Sequence, residues 1–133
     1  MKKDIKIPEV TDVYLAIIKE YNEVFQCEDW NAYLINDKDE SLEMVIIVSH
    51  GYDEKDKTSL MRKRIDKLPA KSFAKIELIQ PELFKLNNEF NITFFEGNRM
   101  MEKTFIVPQN SISENALDHV PMIEKMGVLA SSL

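Results

Sequence analysis

The sequence predicts an all-β, single-domain protein, an antiparallel β-sandwich of the immunoglobulin-like type with about seven strands. Two β-rich stretches flank a polar turn in residues 30–49, and a second such pair flanks Gly97-Asn98. No segment has a convincing long helical pattern, and 133 residues suit one domain with a sizeable core. A small barrel is the alternative, and the strand order is left open.

The first regular segment has two competing periodicities. A β-branched and aromatic run from residue 13 to 18 suits a strand, while a helical stripe is formed by Tyr14, Ile17, Ile18, Tyr21 and Phe25. Every later periodic segment is a strand. Consistency along the chain therefore favours a strand over Val13–Glu20, which pairs with Asp29–Ile35 across a polar connection.

The stretch from Trp30 to Ser49 predicts two further properties of the sheets. Alternate apolar positions around Ala32 and Leu34 indicate a half-buried strand that borders solvent. The unbroken apolar run Met44–Val48 indicates a central strand that is covered on both faces. Between the two strands, a turn is predicted from its short polar side chains, which are Asn36, Asp37, Asp39 and Ser41.

Two more strands are predicted in residues 58–79. Thr58–Ile65 contains an Arg-Lys-Arg triplet, which is typical of an exposed edge strand. Ser72–Ile79 alternates regularly. The alternation places Ala74, Ile76 and Leu78 on one face, and Phe73, Lys75 and Glu77 on the other.

The clearest hairpin covers residues 89–107. Gly97 and Asn98 tolerate the positive φ angles of a two-residue turn between its two arms. Phe90, Ile92 and Phe94 share one face of the first arm, so we expect them in the core.

The two ends of the chain show less regularity. We predict a loose N-terminal arm over residues 1–10, the β-sandwich over residues 11–108 and a C-terminal appendage over residues 109–133. Within the appendage, Ser113–Leu117 suits a single helical turn that ends before Pro121.

Composition indicates a soluble cytoplasmic protein. No apolar run approaches the roughly 20 residues that span a bilayer, and the N-terminal lysines are not followed by the apolar region of a signal peptide. The single cysteine, Cys27, agrees with a reducing compartment. The formal net charge is −6, so the protein is acidic.

Charge is distributed unevenly along the chain. Residues 55–75 hold eight Lys or Arg against two acidic residues, a balance of +6, and the remainder holds nine basic and 21 acidic residues, a balance of −12. The segment predicts an anion-binding site, and its candidate residues are Arg62, Lys63, Arg64 and Lys67. The alternative is an edge strand whose charges simply prevent aggregation, which we favour.

Other candidate chemistry is weakly supported, and we predict no catalytic, metal or cofactor site. A nucleophilic or metal-binding set could be drawn only from residues far apart in sequence: Cys27, His50, Asp53, Asp118 and His119. The acidic run of Asp37, Asp39 and Glu40 resembles the start of a calcium loop, but the glycine and distal acidic ligand are missing. The three glycines are too dispersed for a phosphate-binding loop.

Four segments together resemble a family of small β-sandwich proteins: DVYLAIIKE, DWNAYLINDKDESLEMVIIVSHGYD, LPAKSFAKIE and FKLNNEFNITFFEGN. Some members of that family carry the name phenylalanyl-tRNA synthetase alpha subunit. The resemblance covers most of the chain and implies the fold, but it implies no active-site residues. A class II synthetase needs a much larger catalytic domain and a glycine-rich third motif, whereas Gly97-Asn98-Arg99 suits a hairpin turn.

These observations favour a non-catalytic cytoplasmic module that binds an unknown protein partner. Anion or nucleic-acid binding through residues 55–75 is the alternative. A small enzyme with a pocket between the sheets is the third option, and homodimerisation through a strand edge is compatible with each of them.

Overall fold

The computed structural model describes residues 9–133, and this part of the chain is all-β. The strands form two antiparallel sheets of five strands each. In chain order they are β1 Val13–Asn22, β2 Cys27–Asn36, β3 Leu42–Tyr52, β4 Met61–Leu68, β5 Ser72–Leu78, β6 Asn87–Glu96, β7 Arg99–Val107, β8 Asp118–Val120, β9 Ile123–Leu129 and β10 Ser131–Ser132. Two single 3-10 turns, Pro81–Leu83 and Glu114–Ala116, complete the regular structure.

The first sheet has the strand order β5-β2-β1-β9-β8, and the second has the order β10-β7-β6-β3-β4. Side chains from both sheets meet in one apolar core, which includes Leu15, Leu34, Ile47 and Phe90. The prediction of an all-β protein with antiparallel sheets is therefore confirmed.

The segment with competing periodicities is a strand, as predicted. β1 pairs with β2 in an unbroken antiparallel register from Val13↔Asn36 to Asn22↔Cys27. Leu15 and Ile17 enter the core between the sheets, while Ala16 and Ile18 belong to a smaller apolar cluster on the other face. Both faces of β1 are thus covered, which explains why its apolar residues do not alternate cleanly with polar ones.

The predicted hairpin is also confirmed. β6 and β7 pair from Asn88↔Val107 to Glu96↔Arg99, which leaves Gly97 and Asn98 as the two-residue turn. Gly97 adopts a φ of 63°, in the left-handed region that glycine enters without strain. The three core side chains expected on β6 are buried: Phe90, Ile92 and Phe94.

The expected burial of β2 and β3 is reversed. Residues 31–36 of β2 are all buried, whereas β3 alternates, with Met44 and Ile46 exposed. Val120 and Ile123 belong to the same buried cluster as Tyr33 and Ile35, so the C-terminal strands help to bury the outer face of β2. The apolar run of β3 wrongly predicted that both of its faces are covered, because nothing in the described chain covers its outer face.

The C-terminal segment is not an irregular appendage, and the described chain has ten strands where seven were predicted. The helical turn was found at Glu114–Ala116, but β8, β9 and β10 follow it. β9 pairs with β1, and β10 crosses to the second sheet and pairs with β7. These strands were not predicted because they are short and lack a period-2 pattern. Pairing with free strand edges decides their structure more than local sequence does.

Gly127 shows why β9 can approach β1 closely. A Cβ atom at this position would lie 2.7 Å from the carbonyl oxygen of Ile17 and 2.7 Å from Cδ1 of Ile18. Only glycine fits this contact.

The predicted N-terminal arm, residues 1–10, lies mostly outside the described residues, and of its last two residues Val10 is buried in the core. Neither of the described helices has the length or apolar character to cross a bilayer.

Candidate functional site

One edge strand of each sheet, β4 and β5, lies on the same side of the molecule. β4 pairs only with β3, and β5 pairs only with β2, within the described chain. Residues 69–71 connect β4 directly to β5, so the last strand of one sheet leads into the last strand of the other. The basic segment lies along this side, as the prediction of an edge strand required.

The basic strand begins three residues later than predicted. Thr58 returns to β3 instead of starting β4, since its N–H donates to the Gly51 carbonyl and its Oγ1 accepts from the Gly51 N–H, each at 2.8 Å. The edge strand itself is Met61–Leu68, and seven of its eight residues are exposed or partly exposed.

The four candidate anion-binding residues all lie on β4 and are exposed. Arg64 is already paired, because its Nε lies 3.0 Å from Oδ1 of Asp66. Among the described residues, no ion pair forms with Arg62, Lys63 or Lys67. Three of the four charges therefore remain available to a partner.

These charges do not form one flat patch. Lys63 lies opposite Ile47, whose side chain enters the core, whereas Arg62 and Arg64 lie opposite Val48 and Ile46 on the outer face. Successive side chains of a strand point to opposite faces. The cations consequently flank the free backbone of β4 on both sides.

β5 contains a bulge that changes the predicted alternation. Lys75 pairs with Tyr33 and Glu77 pairs with Ala32, so the strand has one extra residue, Ile76, at this point. A bulge reverses the inside and outside assignment of every later side chain. The prediction that Leu78 faces inward and Glu77 outward is therefore wrong: Leu78 is exposed, and Glu77 points between the sheets.

Glu77 lies at a cavity of about 210 Å³ between the two sheets. Its wall includes Ser49 on β3, Met61 on β4, Phe90 on β6 and Leu83 in the first 3-10 turn. A small adjoining space of about 20 Å³ also borders Ser49, Met61 and Glu77. The cavity is therefore formed where both sheets end, next to the basic strand.

The carboxyl group of Glu77 has one polar contact in the described chain. The hydroxyl of Ser49 donates to Oε1 at 2.7 Å. Burial raises the pKa of Glu77, and the Ser49 hydrogen bond opposes this only in part. Oε2 accepts no hydrogen bond from the described residues, yet it is not one of the fully buried atoms, so it retains some accessible surface in a residue that lines the cavity.

A second buried carboxylate, Glu20, lies on the opposite face of the first sheet and is fully partnered. Oε1 accepts from Lys125 Nζ at 2.8 Å, and Oε2 accepts from Asn31 Nδ2 at 2.8 Å and from the Tyr33 hydroxyl at 2.8 Å. Burial alone would raise the pKa of Glu20, but these donors and the charge of Lys75 together hold it below its ordinary value. This cluster is complete without a ligand.

The structure does not assemble the candidate nucleophile with a base. Cys27 is exposed at the start of β2, and its thiol contacts the Asp29 carboxylate at 3.8 Å. Desolvation of the thiol and the charge of Asp29 raise the pKa of Cys27, the opposite of what a reactive thiolate requires. His50 lies in the other sheet, where its ring stacks on Tyr52 with 5.3 Å between ring centroids.

The acidic turn is held by protein contacts. Lys71 Nζ lies 3.0 Å from Oδ1 of Asp37 and 3.8 Å from Oδ1 of Asp39, and the Asn36 side chain donates to the Glu40 carbonyl at 2.9 Å. Residues 9–133 contain no cluster of three or more His, Cys, Asp or Glu side chains that could hold a metal ion. His119 and Asp118 are exposed on β8.

The sequence did not identify Glu77 or Ser49 as site residues. Both follow an ordinary strand pattern, and only the bulge at Ile76 brings Glu77 to face Ser49. No local signal marked Glu77, because the alternation places it with Lys75 on the outer face. No protein-family model matches the chain, and no curated protein has a significantly similar sequence.

Proposed function

We propose that the protein is a non-catalytic interaction module that binds an extended acidic segment of a partner protein along the free edge of β4. The observation that carries this proposal is the alternation of Arg62, Lys63 and Arg64 on both sides of an edge strand. A peptide that pairs with an edge gains main-chain hydrogen bonds, and its side chains lie on both faces of the sheet. Acidic side chains on both faces would then each meet a cation.

Two other uses of this edge are less well supported. Two copies of β4 would bring like charges together, which disfavours a homodimer through this strand. Nucleic acid is less well suited, because single-strand binders stack bases on aromatic side chains beside their cations. The exposed aromatic of the neighbouring strand, Phe73, pairs with Tyr33 on the outer face of the other sheet, at 6.0 Å between ring centroids.

Exposed apolar side chains at the start of the edge support a protein partner. Leu60 and Met61 are 60% and 56% exposed, beside cations that lack ion pairs in the described chain. Such a combination of apolar contact and charge suits a peptide with both acidic and aliphatic residues, and it gives the partner a defined register.

The test uses a blocked peptide of about eight residues, Glu-Glu-Val-Thr repeated, and the isotope-labelled full chain. We expect amide shifts and new exchange protection along Met61–Leu68, with affinity that falls as salt rises. Reversal of two of the three cations without ion pairs, Arg62→Glu with Lys63→Glu, should weaken binding by at least about tenfold. The matched control, Lys55→Glu with Lys57→Glu, changes net charge equally in the preceding loop and should have a small effect.

Equal weakening by both double variants would reduce the effect to net charge and contradict the proposal. Shifts that avoid β4 would contradict it as well. If a single-stranded oligonucleotide binds the edge more tightly than the acidic peptide at the same salt concentration, the nucleic-acid alternative replaces it.

We also propose that the two sheets form an immunoglobulin-like sandwich, and that the chain belongs with the family of small β-sandwich proteins it resembles in sequence. The shared core between two antiparallel sheets supports both proposals. A cytoplasmic location is supported by the exposed, unpaired thiol of Cys27.

A further inference from the structure

A carboxylate residue on the wall of the cavity between the sheets, Glu77, has an oxygen without a hydrogen-bond partner in the described chain. Asn88, on its wall, already donates to the carbonyls of Leu83 and Leu86, at 2.8 and 3.1 Å. The hydroxyl of Thr58 accepts from the Gly51 N–H and donates to the Ser59 carbonyl. Oε2 of Glu77 has no such partner in the described chain.

Glu77 is also a carboxyl group without a cation. No Lys, Arg or His in residues 9–133 forms an ion pair with it, although Arg62 and Lys63 lie nearby around the adjoining space. Buried charges in proteins are normally paired, because an unpaired charge loses its hydration without compensation. The ionised carboxylate of Glu77 therefore lacks a positively charged hydrogen-bond donor.

The rest of the wall is apolar and limits the size of a ligand. Leu83, Phe90 and Met61 contribute aliphatic, aromatic and thioether surface. An apolar protein cavity of about 150 Å³ accommodates benzene. A cavity of about 210 Å³ can hold a ring of that size together with a short polar substituent. Ser59 and Met61 at the rim are exposed, which gives a ligand access from the free edges of the sheets.

We propose that this cavity binds a small primary amine with an apolar body, whose ammonium group donates to Glu77 Oε2 while its body packs on Phe90 and Leu83. Ser49 is a positioning residue, because its hydrogen bond holds Oε1 and leaves Oε2 directed to the ligand. This site borders the edge of β4 and shares Met61 with it, but it does not rest on the proposed interaction with an acidic segment, because Glu77 attracts a cation whereas the edge attracts anions.

The test measures binding of benzylamine, benzyl alcohol and benzoate to the isotope-labelled full chain by amide chemical shifts. These probes have similar size and differ in charge. We expect benzylamine to bind most tightly, with shifts centred on Ser49, Gly51 and Glu77, and to raise Tm. Glu77→Gln should weaken benzylamine by at least about tenfold, the usual effect of a lost charge-assisted hydrogen bond. It should leave benzyl alcohol almost unchanged.

The matched control is Glu124→Gln, which removes an exposed carboxylate on β9 that makes no hydrogen bond with described residues. It should leave benzylamine affinity unchanged. Equal affinity for all three probes in the unmodified protein would overturn the proposal, and that result does not depend on any variant. Equal weakening by Glu77→Gln and Glu124→Gln, or shifts spread over the acidic surface, would show only general attraction of a cation and would also overturn it.

Discussion

Phe94 and Phe95 provide a direct test of which face of β6 enters the core. The two side chains are adjacent in sequence and point to opposite faces, so Phe94 is 1% exposed and Phe95 is 37% exposed. Replacing a fully buried phenylalanine with alanine removes its transfer free energy and leaves a cavity, which lowers the free energy of unfolding by about 3 to 5 kcal/mol. Phe95→Ala creates no enclosed cavity and should cost about 1 kcal/mol.

Urea unfolding of the full chain, followed by far-UV circular dichroism, measures this difference. With a slope of about 2 kcal/mol per molar urea, Phe94→Ala should lower the unfolding midpoint by about 1.5 to 2.5 M and Phe95→Ala by about 0.5 M. If the slope of the free energy of unfolding against urea concentration is the same in both variants as in the unmodified protein, both variants unfold from a similarly compact state. Equal midpoint shifts for the two variants would refute the assigned facing of β6 and, with it, the register of the hairpin.

Two further predictions concern stability. Gly127→Ala should lower the free energy of unfolding by about 1 to 3 kcal/mol, because its Cβ would lie 2.7 Å from the Ile17 carbonyl oxygen. Gly51→Ala should lower the free energy of unfolding by less, because the atom nearest to its Cβ is Leu86 Cδ1 at 3.1 Å, which belongs to a side chain that can move. Equal losses of stability in the two variants would contradict the close approach of β9 to β1. Burial raises the pKa of Glu77, so its contribution to stability is present below its ordinary pKa and is lost as pH rises through the folded value. The free energy of unfolding of Glu77→Gln, measured by urea unfolding relative to that of the unmodified protein, should therefore be higher at about pH 7 than at about pH 4. If this difference does not change with pH, Glu77 is well solvated.

The basic edge shows how far sequence reasoning can reach for a functional surface. A run of Arg62, Lys63 and Arg64 in a strand-like segment predicted both an exposed edge and the residues on it, because charges are tolerated in a strand only where it meets solvent. The strand began later than predicted, because Thr58 is hydrogen-bonded to Gly51 of β3 and therefore lies in the loop before β4. Which cations lack an ion pair could not be predicted, because that depends on distances between side chains.

Glu77 shows where the same reasoning fails. Alternation placed it outside, and a one-residue bulge at Ile76 placed it in the cavity opposite Ser49. A bulge depends on how β5 fits against β2 at the edge of its sheet, and no residue in the local sequence marks it.

The sequence by itself determined the all-β class, the β1–β2 pair and the β6–β7 hairpin. Each follows from local periodicity or turn chemistry, which act over a few neighbouring residues. The tertiary structure alone decided the roles of the C-terminal strands, the burial of β2 and the contents of the cavity. These depend on contacts between residues far apart in the chain: β9 uses the free edge of β1, and Val120 joins Tyr33 and Ile35 of β2 in one buried cluster. Local sequence carries little information about such contacts, because the free energy that selects them comes from burial and pairing in the assembled sheets.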